Sequence, residues 1–197
     1  IAYQSADTTI AKVSGNTVTI KGAGTVNITA TQSGSENYNA ASSITLPLSI
    51  SKAAQTITFA DLPAYTYSAS PVTLSASSNS GVAVTYDSSD PNVASVSGNT
   101  LTINNTGTCY ITASVVGNSN YLTGTPVQIL VTVNKANQTL TFDAISNKTY
   151  GDAGFNLTAS ANTGLPVTFT SGTPAKLIIS GTTATIAGAG SYTVTAT

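Results

Sequence analysis

One eleven-residue pattern occurs three times in this chain, and few folds accommodate it. Val93 to Ile103 reads VASVSGNTLTI, Ile10 to Ile20 reads IAKVSGNTVTI and Lys176 to Ile186 reads KLIISGTTATI, each 83 positions from the next. Ala94 and Val96 alternate with Ser95, and Leu101 and Ile103 alternate with Thr100 and Thr102, the period-2 pattern of strands with one face on a core. Gly98-Asn99 leaves only a two-residue loop between them, with glycine supplying the positive φ that a type II′ turn needs at its first central position. Gly15 and Gly181 hold the same place in the other copies. Lys12 and Lys176 fall on outward positions, and Ala11, Val13, Leu177 and Ile179 on inward ones, as expected where a lysine is not buried unpaired.

A period of 83 residues takes precedence over length as a guide to domain layout. Residues 1–53 read as the C-terminal part of a module: Ile1 and Tyr3 match Val84 and Tyr86, Asp7 matches Asp90, and Asn37-Tyr38 matches Asn120-Tyr121, all without a gap. Residues 54–136 read as one complete module, and residues 137–197 as a module lacking its last strand. The chain opens inside a repeat, which suggests an internal piece of something longer.

The complete module carries seven strand patterns, centred on Ile57/Phe59, Val72/Leu74/Ala76, Val84/Tyr86, Ala94/Val96, Leu101/Ile103, Cys109/Ile111/Ala113 and Ile129/Val131/Val133. Seven short strands with turns at this spacing predict an all-β chain of immunoglobulin-like antiparallel β-sandwiches, although the Cys…Trp…Cys hallmark is missing. Lys52 and Lys135 mark the two module joints. The joint from Asn134 to Asn137 has about four residues, short against ordinary connections, so the modules are expected to follow end to end with little swivel. Tyr38 and Tyr121 are expected to plug a sandwich end with the ring and to bond a loop carbonyl with the hydroxyl.

Chemistry is scarce. There is no His, no Trp and one Cys, and all six basic residues are Lys. Ser/His/Asp and Cys/His constellations are therefore out of reach, and the chain reads as a non-enzyme that needs no cofactor or metal. Asp87 and Asp90 are the nearest thing to paired carboxylates. Asp87 aligns with Gln4 and Thr170, and Asp90 with Asp7 and Thr173, which fits turn residues better than a calcium site. A net charge of −1 with scattered lysines offers no stripe for phosphates, so nucleic acid is not an expected partner. Cys109 cannot form an intrachain disulfide and shares the inward face with Ile111 and Ala113, which makes it a small buried hydrophobe. No stretch has the ~18 unbroken apolar residues of a membrane-spanning helix.

At Gln55-Thr56-Ile57-Thr58-Phe59, Thr149-Tyr150-Gly151-Asp152, Gly164-Leu165-Pro166-Val167-Thr168, Ser89-Asp90-Pro91, Val96-Ser97-Gly98-Asn99 and Val133-Asn134-Lys135-Ala136 the chain resembles bacterial Ig-like modules. The likeness is to the tandem repeats of large secreted or surface-anchored adhesins of Bacteroidetes, gliding adhesins among them, and it runs from end to end. The resemblance implies an extracellular or cell-surface stalk that projects a distal functional unit. It implies partners in the neighbouring modules and, through the distal unit, in surface glycans or proteins. It carries no catalytic residues. Two other readings stay open: glycan or protein binding by end loops of each module, and an accessory spacer in a secreted enzyme.

Overall fold

A computed structural model describes all residues, 1–197, and contains strands, turns and no helix. Compactness divides the chain into two units, Ile1–Lys135 and Ala136–Thr197.

The first unit opens with β1 (Ala2–Ser5), β2 (Ala11–Ser14), β3 (Thr17–Ile20), β4 (Gly24–Gln32) and β5 (Ala41–Ile50). β4 lies between β1 and β5, and β2 and β3 form a separate hairpin. Nine further strands follow: β6 (Ile57–Phe59), β7 (Tyr65–Thr66), β8 (Val72–Thr73), β9 (Ala76–Ser78), β10 (Thr85–Ser88), β11 (Ala94–Ser97), β12 (Thr100–Ile103), β13 (Gly107–Ser114) and β14 (Val127–Asn134). They make a four-stranded sheet in the order β10-β13-β14-β7, a three-stranded sheet β11-β12-β8, and the pair β6-β9. All these pairings are antiparallel except β14 with β7. Ala94, Leu101 and Ile103 from one sheet and Cys109, Ile111, Ala113, Val131 and Val133 from the other join Phe59 and Leu74 in one buried cluster. The period-2 pattern is thus realised as burial, with Leu101, Ile111 and Val131 at 0% exposure.

The second unit contains β15 (Leu140–Phe142), β16 (Phe155–Asn156), β17 (Ala159–Ala161), β18 (Phe169–Ser171), β19 (Leu177–Ser180), β20 (Thr183–Ile186) and β21 (Val194–Ala196). Its sheets are β15-β17, β16-β20-β19 and β18-β21, around a smaller core of Leu157, Leu177 and Ala184. Equivalent residues pair at the 83-residue spacing: Phe59 meets Tyr86 edge-on with centroids 5.6 Å apart, and Phe142 meets Phe169 at 5.5 Å.

The repeated hairpin forms at all three places, closed by Ser14–Thr17, Ser97–Thr100 and Ser180–Thr183. Gly15, Gly98 and Gly181 each have φ of 59°, and the residue that follows each has none of the positive φ a type I′ turn would need. No atom lies within 4 Å of a Cβ built at Gly98, so the constraint there is backbone conformation alone. Gly98→Ala is expected to destabilise the first unit by about 1–2 kcal/mol, read from urea unfolding, with no loss of packing contacts.

Two expectations change. The second strand pattern, Val72 to Ala76, is two strands: β8 pairs with β12 in one sheet and β9 with β6 in another. The chain changes sheets at Leu74-Ser75, where Leu74 is 2% exposed and its N–H reaches Asn99 O, and the Ala76 N–H donates to the Tyr86 hydroxyl at 2.6 Å. β7 was not evident in the sequence, since two residues carry no period. Asp7 and Asp90 do bind their own turns: Asp7 Oδ1 accepts from the N–H and hydroxyl of Thr9, and Asp90 Oδ1 from Asn92 N–H.

Cys109 is buried, and burial pushes its thiol above the ordinary range; burial does the same to the Tyr65 hydroxyl. Both groups are neutral when protonated, so the fold favours the protonated forms. Their contribution is complete below about pH 8.5, and it is lost as pH climbs through the raised values. The urea midpoint of the first unit should therefore fall between about pH 8 and 10.5. Cys109→Val, the residue found at position 26, should flatten the lower part of that decline.

Candidate functional site, the joint at residues 50–55

β5 ends at Ile50 and β6 begins at Ile57, and between them the chain runs against the loop that follows β13. Ala53 N–H donates to Asn120 O and Leu122 N–H to Ala53 O, both at 2.9 Å, so Ala53 and Tyr121 form a short parallel bridge. Lys52 Nζ donates to Asn118 O at 2.8 Å. From the far side, Ala23 N–H donates to Asn120 Oδ1 at 2.9 Å. A Cβ at Gly22 would stand 3.1 Å from that same Oδ1 and 3.2 Å from Thr9 O, so the approach suits a residue without a side chain. Residues on both sides of the joint therefore grip one loop.

The loop is preorganised for this. Asn118 Oδ1 accepts from the N–H groups of Asn120 and Tyr121, each at 2.9 Å, and Asn118 N–H donates to Tyr121 O. This Asx arrangement fixes the carbonyls of Asn118 and Asn120 toward the joint. Beneath it lies Gln55, 5% exposed. Its Nε2 donates to Val116 O at 2.9 Å and Leu122 O at 2.6 Å, and its Oε1 accepts from the hydroxyls of Ser78 and Ser80. A buried amide with every polar atom engaged rigidifies its surroundings, because each bond lies where water cannot replace it. The Lys52 contact is exposed and contributes less, under about 1 kcal/mol.

The expected residues behave unequally. Lys52 joins the clasp, whereas Lys135 is exposed at the end of the first unit. Tyr121 takes part through its main chain, with the ring half-buried. Tyr38 does not plug a sandwich end: its ring is 78% exposed, and only its main chain is engaged, in a bridge to Ser35. The segment that braces Tyr121, Lys52 to Gln55, has no counterpart 83 positions earlier in this chain, so Tyr38 has nothing to pack on. The expected hydroxyl-to-carbonyl bond is made instead by Tyr192, to Gly188 O at 2.6 Å. Gln55 was overlooked as a strand opener; its recurrence at position 138 was the available signal.

No family model matches the chain, and no curated protein does. Among solved structures it is similar to the surface layer protein SbsC, domains 1-6, at 15% sequence identity and a TM-score of 0.34. That similarity covers 98% of this chain and 28% of the surface layer protein, so the chain spans less than a third of the structure it matches.

Proposed function

We propose that the chain is a run of tandem immunoglobulin-like β-sandwich modules serving as a non-catalytic stalk in an extracellular bacterial surface protein of the adhesin kind. The clasp at residues 50–55 carries this reading. A load-bearing spacer needs connections that resist bending and pass tension from one sheet to the next, and here the strand leaving β5 is fastened by main-chain and side-chain bonds before β6 begins. A ligand site would instead present polar or aromatic groups outward, whereas Asn118, Asn120 and Gln55 spend theirs on the chain itself.

Force spectroscopy on the full chain, tethered at both termini, tests this. Extension is expected in abrupt ruptures, one of them releasing residues 54–135, a contour length of about 270–300 Å. Smooth extension without rupture would sink the stalk reading. Saturable binding of the chain to a polysaccharide would favour recognition by end loops instead.

A further inference from the structure

The second unit contains a cleft of about 560 Å³, walled by residues 145–150 on one side and 188–194 on the other. The equivalent walls in the first unit, 83 positions earlier, have β14 between them. β14 pairs antiparallel with β13, Cys109 opposite Val131 and Gly107 opposite Val133, and parallel with β7, Val133 opposite Tyr65. It delivers Val131 and Val133 to the core at 0% and 3% exposure. In the second unit Tyr192 and Gly190 stand where Cys109 and Gly107 do, Lys148 stands where Tyr65 does, and the sheet stops at β21. The floor is correspondingly open: Ile186 and Val194 are half-buried, whereas Ile103 and Ile111 are buried.

The open edge is ready to pair. Thr168 and Thr197 exchange two main-chain bonds and Gly172 N–H donates to Thr193 O, so Thr193, Thr195 and Thr197 face β18. By the alternation of an antiparallel ladder, the N–H and C=O groups of Tyr192, Val194 and Ala196 face the cleft side. An edge that pairs there gains main-chain bonds for affinity and pockets for alternate side chains for selectivity.

We propose that this cleft accepts an extended segment of another protein, aliphatic at alternate positions and uncharged on its inward face, which adds antiparallel to β21 as β14 does to β13. A second copy of this chain is the poorer donor. To lie antiparallel to β21 with its aliphatic face inward, a strand must present the edge that β14 presents to β13. In β14 and β5, the two strands of this pattern, that edge is already engaged by β13 and β4. The outer edge of β5 also carries Pro47, which has no N–H to give. The inference stands apart from the stalk reading, since it rests on the second unit alone.

The test adds a capped octapeptide with the sequence of residues 127–134 to the full chain and follows amide exchange residue by residue. Saturable binding is expected, with exchange at Tyr192, Val194 and Ala196 slowed about tenfold or more. A peptide carrying Val131→Asp and Val133→Asp should bind at least about tenfold more weakly, because its carboxylates would enter an apolar floor. Ala196→Pro in the protein removes one edge donor while leaving Thr195 and Thr197 to β18; it should weaken binding at an unchanged unfolding midpoint. Absence of saturable binding to the folded chain, protection at other strands only, or indifference to the aspartates would overturn the proposal. So would concentration-dependent protection of residues 192–196 without peptide, which would make a second copy the occupant.

Discussion

Leu101→Ala should lower the stability of the first unit by about 2–5 kcal/mol, the range for emptying a leucine site that cannot collapse. Leu101 is 0% exposed, pairs with Val96 and Val72, and lies diagonally across the hairpin from Ala94, also at 0%. The second unit has the opposite arrangement, Leu177 where Ala94 stands and Ala184 where Leu101 stands, both buried. One hairpin thus fills its inner face by either of two placements of the same pair of side chains. Ala94→Leu alone should overpack and cost about 1–3 kcal/mol, while the double variant should recover much of both losses. A coupling energy of about 1 kcal/mol or more is therefore expected from the four urea curves. Simple additivity would mean that the two sites do not share one volume. Val18→Ala, at the same position 83 residues earlier, is the control: Val18 is 42% exposed, so the change should stay within about 0.5 kcal/mol.

What the sequence disclosed and what it withheld divide along a physical line. Alternation and turn chemistry are local, so the hairpins, their glycines and the inward faces of β12 and β13 were readable from spacing alone. Features that depend on a distant partner were not. The break at Leu74-Ser75 sits inside an unbroken alternating run and exists because β12 and β6 lie in different sheets. β7 is a strand only because β14 passes beside it; the matching Lys148-Thr149 form none. Tyr38 and Tyr121 share an Asn-Tyr motif yet differ in exposure, because only Tyr121 meets Ala53. The joint was legible as a position, through Lys52, but its strength lies in Gln55, whose polarity suggested surface.

Gln55→Glu should be the most damaging single-atom change at that joint. The Nε2 of Gln55 donates to two carbonyls, Val116 O and Leu122 O. An ionised carboxylate of the same shape has only acceptors to offer them, so two carbonyl dipoles would face a buried negative charge. The expected loss at pH 7 is about 3–5 kcal/mol, the cost of leaving a buried charge uncompensated. Burial among acceptors raises the folded-state pKa of the introduced carboxyl above its unfolded value near 4.3. The deficit should therefore be greatest at neutral pH and shrink as pH falls through the raised value. It should reach its minimum below the unfolded value, where one O–H can again donate. Gln55→Leu, which removes all four bonds but adds no charge, should lose about 2–4 kcal/mol with no such pH dependence. Urea unfolding of wild type and both variants at pH 7 and pH 4 separates the cases. If Gln55→Glu matches wild type at pH 7, the amide is not what holds the loop, and rigidity at the joint must come from the Ala53–Tyr121 bridge alone.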